Sequence, residues 1–389
     1  IYNSSPNFNN LIIQNNAALN MGGGIYIDGG SQRFTNCKIY NNEIGDTNGG
    51  GMYCINSENI HIDNCEFMYN HSPKNGGGIY LNNSQVEIKN TKIIENNEGI
   101  GGNNPMLTPK GGGIYASSSE VHLYNNVINS NNSYGPGGGI YGSNSVFEIY
   151  HTEICNNTSL NFWQNAEGGG GCFFNSTVFF NQVTLSGNIA YSLSQYNSDG
   201  LSFKGSTSAN IYNSIIYNND DAEIRLDANA LVTLNYTDIM GGISGISGPG
   251  NASAEYGMNN INEDPLFVDP ENGDFTLQPN SPCIDAGDPS SPLDPDGTIA
   301  DMGAFYFEQT MVGFHEDLVI LPNKIYLYQN HPNPFNPVTT LRYDLPEDAL
   351  VNITIYDMMG RVVSNLVNSQ QNAGYKSIQW NATNNAGQP

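Results

Sequence analysis

Apolar and polar residues alternate with period two in short runs along the first half of the chain, as in SQVEI at 84–88 and SVFEI at 145–149. Period two places successive side chains on opposite faces of a strand. Val86 and Ile88, Val121 and Leu123, and Phe147 and Ile149 form one apolar face. After the following Asn, or its equivalent, the parity flips to Thr91 and Ile93, and to Thr152 and Ile154. A bend at Asn90 and its equivalents produces such a flip.

The runs recur with two punctuation signals. Three glycines precede an apolar-aromatic pair at 22–24, 49–51, 76–78, 111–113, 137–139 and 169–171, and SDGLSF around Gly200 is a degraded copy. Between them an Asn is followed by an apolar residue three positions on and an Asn six on. These copies start at Asn9, Asn36, Asn64, Asn90, Asn125, His151, Gln182 and Asn213, spaced by 27, 28, 26, 35, 26, 31 and 31 residues. A period of this size without helical spacing predicts one coil of a parallel β-helix per repeat. A single coil cannot bury its apolar face, whereas stacked coils can. The glycines belong at a corner needing a tight backbone path. The asparagines belong at other corners, where Asn tolerates left-handed angles and can bond its amide to the coil below. The expected fold is therefore all-β, a parallel β-helix (solenoid) of about eight visible coils with a small antiparallel β-sandwich after it.

The expected boundaries are coils over 1–235, terminal coils and a cap over 236–308, a linker over 309–324, and the sandwich over 325–389. The cap segment is dense in Pro, Gly and Asp and is expected to end the stack and cover its open strand edges. The chain starts at Ile1 inside a repeat, which is the expectation for a fragment or processed form.

Composition narrows the function classes. Charged residues make up 13% of the 389, and the net charge is −25. Phosphate binding needs clustered Lys and Arg, so nucleic acid is disfavoured, and so are anionic membrane surfaces. No apolar run approaches the ~20 residues of a membrane span. The six cysteines contain no CxxC pair. Cys37 and Cys65 share one inward position in neighbouring coils, either as stacked thiols or as a disulfide. Cys54 and Cys172 are expected inside as small core residues.

Three resemblances follow from these motifs. The GGGIY and Asn-rich coils resemble polymorphic outer-membrane-protein repeats, which implies that the parallel β-helix is right-handed. The segment DPLFVD…FTLQPNSPCIDAGD…DPDGTIADMGAFYF looks like the end of choice-of-anchor Q β-helix proteins. The stretch NHPNPFNPVTTLRYDLP…ITIYDMMGRVVSNLVN is similar to the type A sorting domain of the type IX secretion system. Asn330, Pro332, Asn333, Pro334, Phe335, Asn336, Pro337, Asp357 and Gly360 carry that likeness. It implies export across a Gram-negative envelope to the medium or the outer surface, with the secretion machinery as a partner. The family's final strand is not matched before Pro389, so the signal is expected to be incomplete.

The outward columns hold the candidate chemistry. One runs Tyr26, Tyr53, Tyr80, Tyr115, Tyr141 and Phe173; its neighbour runs from Asp28 through Asn175 to Lys204. The tyrosines read as stacking that stabilises a sheet, or as a sugar platform. On the next face His61, Asp63, Glu87, Lys89 and His122 fall within three coils. They read as a solvated ladder of alternating charge, or as a metal or acid–base site. Asp294, Asp296 and Asp301 around Gly297 read as a plain turn or as a calcium loop that lacks the far Glu. No other cofactor is expected. Three long connections, 97–110, 158–167 and 190–198, fall at one corner and hold Met106, Phe162, Trp163 and Tyr196. Phe162 and Trp163 read as packing back on their own coil, or, with Tyr196 and with Tyr80, Tyr115 and Tyr141 beside them, as a candidate glycan patch. The favoured expectation is a secreted or surface adhesion or glycan-binding rod without enzymatic activity. The alternative is a polysaccharide lyase or glycoside hydrolase.

Overall fold

The computed structural model describes residues 1–98, 108–161, 166–192, 200–219, 222–249, 252–257, 259–309, 322, 324–335 and 337–383. Phe162, Trp163, Tyr196 and Met106 lie outside these residues. The chain divides into two compact units, Ile1–Thr310 and Met311–Pro389.

The first unit is a right-handed parallel β-solenoid of about 8 turns. Three sheets run along it. A first sheet of 9 strands follows the glycine corner, from Ile25–Asp28 to Ile246–Ser247. A second, of 17 strands, lies on both sides of the Asn bend, and a third, of 7, contains Ala17–Ala18 through Ile189–Ser192. Neighbouring coils pair in parallel and in register, as in Ile25↔Met52↔Ile79↔Ile114↔Ile140. This stacks like on like. Val86, Ile88, Ile93, Val121, Leu123, Ile128, Phe147 and Ile149 are all fully buried in one continuous core. The parity flip also holds, because Asn90 and Asn125 take φ of 49° and 55° at the bend.

The glycine corner has two steric causes. Gly111 turns the chain with φ of 72°. A Cβ on Gly112 would lie 2.4 Å from the Asn132 carbonyl oxygen and 2.6 Å from that of Gly138 in the next coil. Only a residue without a side chain lets the two backbones approach so closely.

Inside the core the second Asn of each repeat forms an unbroken ladder. Asn42, Asn70, Asn96, Asn131, Asn157, Asn188 and Asn219 are at most 2% exposed. Each Nδ2 donates to the Oδ1 of the next at 2.9–3.0 Å. For Asn131 the other Nδ2 proton goes to the Ile93 carbonyl at 2.8 Å, and its Oδ1 accepts from both Asn96 N and Asn96 Nδ2 at 3.0 Å. Both donor protons and both lone pairs are thereby used. Glu223 ends the ladder, accepting from Asn219 Nδ2 at 2.6 Å.

Three details differ from the sequence expectation. The first copy begins at Asn10, with φ of 56°, because Asn9 pairs with Thr35 one residue before the bend. At 168–171 there are four glycines, which permit two registers. The structure turns at Gly168 and pairs Ile140 with Gly171. A one-residue slip exchanges the faces of a strand. Phe173 is therefore in the core at 0% exposure, while Cys172 joins the tyrosine column beside Tyr141 and Ser202. Gly142 makes the room: a Cβ there would meet the Phe173 ring at 2.8 Å and the Phe147 ring at 2.5 Å. The neighbouring column accordingly holds Phe174, not Asn175, between Ser143 and Lys204.

The third difference concerns the segment after Ile261, expected as an end cap. It returns along the flank of the last coils. Phe267–Asp269 pairs antiparallel with Asp274–Leu277. Phe275, Leu277, Cys283 and Met302 pack with Cys155 and Ile215 in a second apolar cluster. Gly303 N donates to the Asn213 carbonyl at 2.8 Å, and Ala304 N to Thr184 Oγ1 at 2.9 Å. The cause lies in one outward column, which begins as Lys38, Glu66 and Lys92 and continues through Val127 and Glu153 to Thr184 and Ile215. The lysine rungs stay in water, whereas Val127, Thr184 and Ile215 can be covered, and Glu153 is covered among them with its carboxyl pushed toward the neutral form.

The second unit holds two small antiparallel sheets. Thr339–Leu345 pairs with Tyr326–Leu327 and Gly374–Trp380, and Ala349–Tyr356 pairs with Val362–Gln371. Asp357 accepts from Met359 N and Arg361 N at 2.9 Å, closing the hairpin around Gly360 at φ of 78°. All six cysteines of the chain are free and buried; Cys37 N donates to Cys65 Sγ at 3.3 Å.

Candidate functional site

Two outward faces of the solenoid bring chemistry-bearing side chains together. On the first sheet, Tyr26, Tyr53, Tyr80, Tyr115 and Tyr141 occupy one column because like pairs with like in each coil. Their rings stack at 5.6, 4.7, 4.9 and 5.4 Å with planes within 19°. Each interior ring is thus covered by its neighbours, and Tyr80 and Tyr141 are only 9% and 6% exposed. Burial pushes the Tyr26 and Tyr141 phenols up to about 12, so both keep their proton at neutral pH. At the C-terminal end of the ladder Lys110 Nζ donates to Tyr141 Oη at 3.1 Å and lies 4.6 Å from its ring centre. Lys204 pairs with the buried Glu167 beside it.

On the second sheet the five candidate acid–base residues are distributed over bonds within and between coils. His61 Nδ1 meets Glu87 at 3.1 Å, and Lys89 meets the other Glu87 oxygen at 3.1 Å. Burial raises the Glu87 carboxyl, but the bonds from Lys89 and His61 outweigh it and hold the group below its ordinary range. Asp63 accepts from Asn90 Nδ2 at 2.8 Å. His122 sits between two carboxylates, with Nε2 2.9 Å from Glu120 and Nδ1 3.0 Å from Glu148. Both bonds form together only when each ring nitrogen carries a proton. Below this column a shallow groove of about 320 Å³ runs across three coils, lined by Glu58, Gln85 and Glu120 among serines and asparagines.

This face also holds aromatic side chains absent from the candidate list read from the sequence. Tyr124, Tyr150, Phe179 and Tyr212 follow one another at 5.1, 5.5 and 5.8 Å. Tyr124 and Tyr150 are in register, but the row then shifts to the adjacent column at Phe179 and back at Tyr212. Column-by-column reading misses a diagonal row. The only signal was the density of aromatics at outward positions.

Asp294, Asp296 and Asp301 spend their oxygens on main-chain donors. Asp294 accepts from Asp301 N at 2.8 Å, Asp301 from Asp285 N at 2.7 Å and Phe307 N at 2.6 Å, and Asp296 from Gln309 N at 2.9 Å. Burial pushes the Asp301 carboxyl up to about 6. Among the described residues no group of three His, Cys, Asp or Glu side chains is arranged to hold a metal. In the second unit a cleft of about 880 Å³ is lined by Tyr328, His331, Arg342, Asp344, Tyr375 and Lys376.

Residues 1–167 match the family model described as the right handed beta helix region. The coils continue beyond the match, to Ser253–Tyr256. No curated protein and no solved structure matches the chain.

Proposed function

We propose that the protein is a non-enzymatic β-helix rod, secreted or held at the outer surface of a Gram-negative cell, whose outward faces contact glycans. β-Helix regions occur in surface proteins and in polysaccharide-acting enzymes alike, so the choice has to come from side chains. One observation carries it. On the second sheet, Glu87 and His122 each bond carboxylate to base across coils, and Asp63 is bonded to an Asn amide. A bond to one carboxylate is also how catalytic bases are oriented, but His122 meets a carboxylate at both ring nitrogens, which leaves neither facing a substrate. Regular rows of side chains at one coil spacing suit contact with an extended polymer.

The C-terminal unit is proposed as the export signal of type IX secretion, on the likeness of Asn330 to Pro337, Asp357 and Gly360 to that sorting domain. Its many exposed apolar side chains, including Leu350, Met358 and Met359, suit handling by a partner.

The deciding experiment is a glycan array run beside reducing-end and unsaturated-product assays on the same polysaccharides. Binding without product is expected. Product released from any of them would overturn the non-enzymatic reading in favour of a hydrolase or lyase.

A further inference from the structure

The two aromatic rows of the solenoid differ in what they offer a ligand. In the first-sheet ladder the planes lie within 1–19° of parallel, so ring faces are spent on each other. In the second-sheet row Tyr124 and Tyr150 are parallel within 6°, but Phe179 tilts by 51° from Tyr150 and Tyr212 by 34° from Phe179. All four rings are half-exposed. The tilts leave part of the Tyr150, Phe179 and Tyr212 faces free for stacking, while Tyr124 and Tyr150 face each other as the first-sheet rings do. The row crosses three coil steps, roughly 14 Å at about 4.8 Å per rung.

Its borders are polar and acidic. At one end Lys89 lies 5.1 Å from the Tyr124 ring centre and is paired with Glu87. Beside the rings stand Glu148, bonded to His122, and the half-exposed Asn181 and Asn210. The Glu148 carboxylate also helps raise the Tyr124 and Tyr150 phenols, after burial, so the rings stay neutral donors. Beyond the bend the return segment forms a low wall. Asn213 Nδ2 donates to Asn181 Oδ1 at 2.8 Å and to Ser291 Oγ at 3.1 Å, and Asp288 N donates to Asn213 Oδ1 at 2.6 Å. Near the row Lys89 is paired with Glu87, the His61 and His122 imidazoles are bonded to carboxylates, and the whole chain carries −25. Such a border accepts hydrogen bonds from hydroxyl groups and repels anions.

Resting on the reading of the protein as a glycan-contacting rod, we propose that Tyr124, Tyr150, Phe179 and Tyr212 form a track for a neutral polysaccharide. Its sugar rings stack on the aromatic faces, and Glu148, Asn181 and Asn210 bond its hydroxyls.

The test uses the full chain in affinity electrophoresis and calorimetry against neutral glucan, mannan and xylan, with polygalacturonate and a sulfated glycan as anionic probes. Wild type is expected to bind a neutral polymer, to prefer longer oligosaccharides of that sugar, and to change little with added salt. Tyr150→Leu with Phe179→Leu keeps apolar volume but removes the rings, and should weaken binding roughly tenfold. Glu148→Gln, at the surface, should weaken it less and serves if the double variant fails to melt cooperatively. Tyr53→Leu in the first-sheet ladder should weaken binding less than the double variant does. If wild type binds a neutral polymer but neither the double variant nor Glu148→Gln weakens it, the track is wrong while the rod reading stands. Binding confined to anionic probes and lost with salt also overturns the track alone. Failure to bind any glycan overturns the underlying reading.

Discussion

The solenoid builds two asparagine ladders from one repeat, and they show how much location changes a single hydrogen-bond type. The outer ladder, at the bend, includes Asn36, Asn64, Asn90 and Asn125. Its links are Asn64 Nδ2 to Asn36 Oδ1 at 2.6 Å and Asn125 Nδ2 to Asn90 Oδ1 at 2.8 Å, but Asn90 turns aside to Asp63. Later positions tolerate His151 and Gln182. The inner ladder, Asn42 to Asn219, has no such break or substitution among its members. Outside, water can replace a missing partner. Inside, each missing partner leaves an unsatisfied buried group. The bend needs only a residue that tolerates positive φ, while the core needs the amide itself.

The largest expected effect comes from Asn131→Leu, which keeps the branched heavy-atom skeleton but removes the amide and adds some volume. It strips Asn96 N and Nδ2 of their acceptor and leaves the Ile93 carbonyl and Asn157 Oδ1 each short of a donor. We expect a loss of at least ~4 kcal/mol in urea unfolding. A loss below ~1 kcal/mol would erase the distinction between the ladders. Ile93→Ala tests packing next to the same amide, since Ile93 is fully buried. A cavity cost of ~2–5 kcal/mol is expected by the same measurement. A cost near zero would mean its coil is not close-packed.

The asparagine amides do not titrate, so the main pH dependence should come from the covered flank. Burial pushes Glu153, beneath the return segment, from 4.5 to about 7, with the Asn129 bond opposing. The folded state then holds a proton that the unfolded chain has released. Stability from this group is undiminished below pH 4.5 and falls as the pH rises from there to about 7. Asp238 and Asp301, both pushed up to about 6, act in the same direction. For Glu153 alone the loss is on the order of 3 kcal/mol. Melting temperatures at pH 5 and pH 8 should differ accordingly, and Glu153→Gln should flatten the difference. An unchanged slope in that variant would place the titration elsewhere.

The smallest effect is expected in the outer ladder. Asn125 has φ of 55° and one exposed amide bond toward Asn90. Asn125→Ala should cost ~1 kcal/mol, mostly for the left-handed backbone, and Asn125→Gly less, since Gly pays no such penalty. If Ala and Gly cost the same, the side-chain bond and not the backbone governs the bend.

Much of this was legible in residue order because a stacked coil repeats its environment. Each strand meets its own counterpart, so the period locates the glycine corner, the bend, the inward columns and the tyrosine ladder without knowledge of distant contacts. What needed the tertiary structure is what breaks the period. Four consecutive glycines allow two registers, and burial of Phe173 against Gly142 selects one. The row from Tyr124 to Tyr212 crosses columns, so no single column announces it. The return of residues 261–309 along the flank depends on an apolar surface assembled from separate coils, including Cys155 and Ile215. Local pattern determines what a strand or corner will be. Which surface a non-repeating segment covers is decided by area that exists only once the coils have stacked.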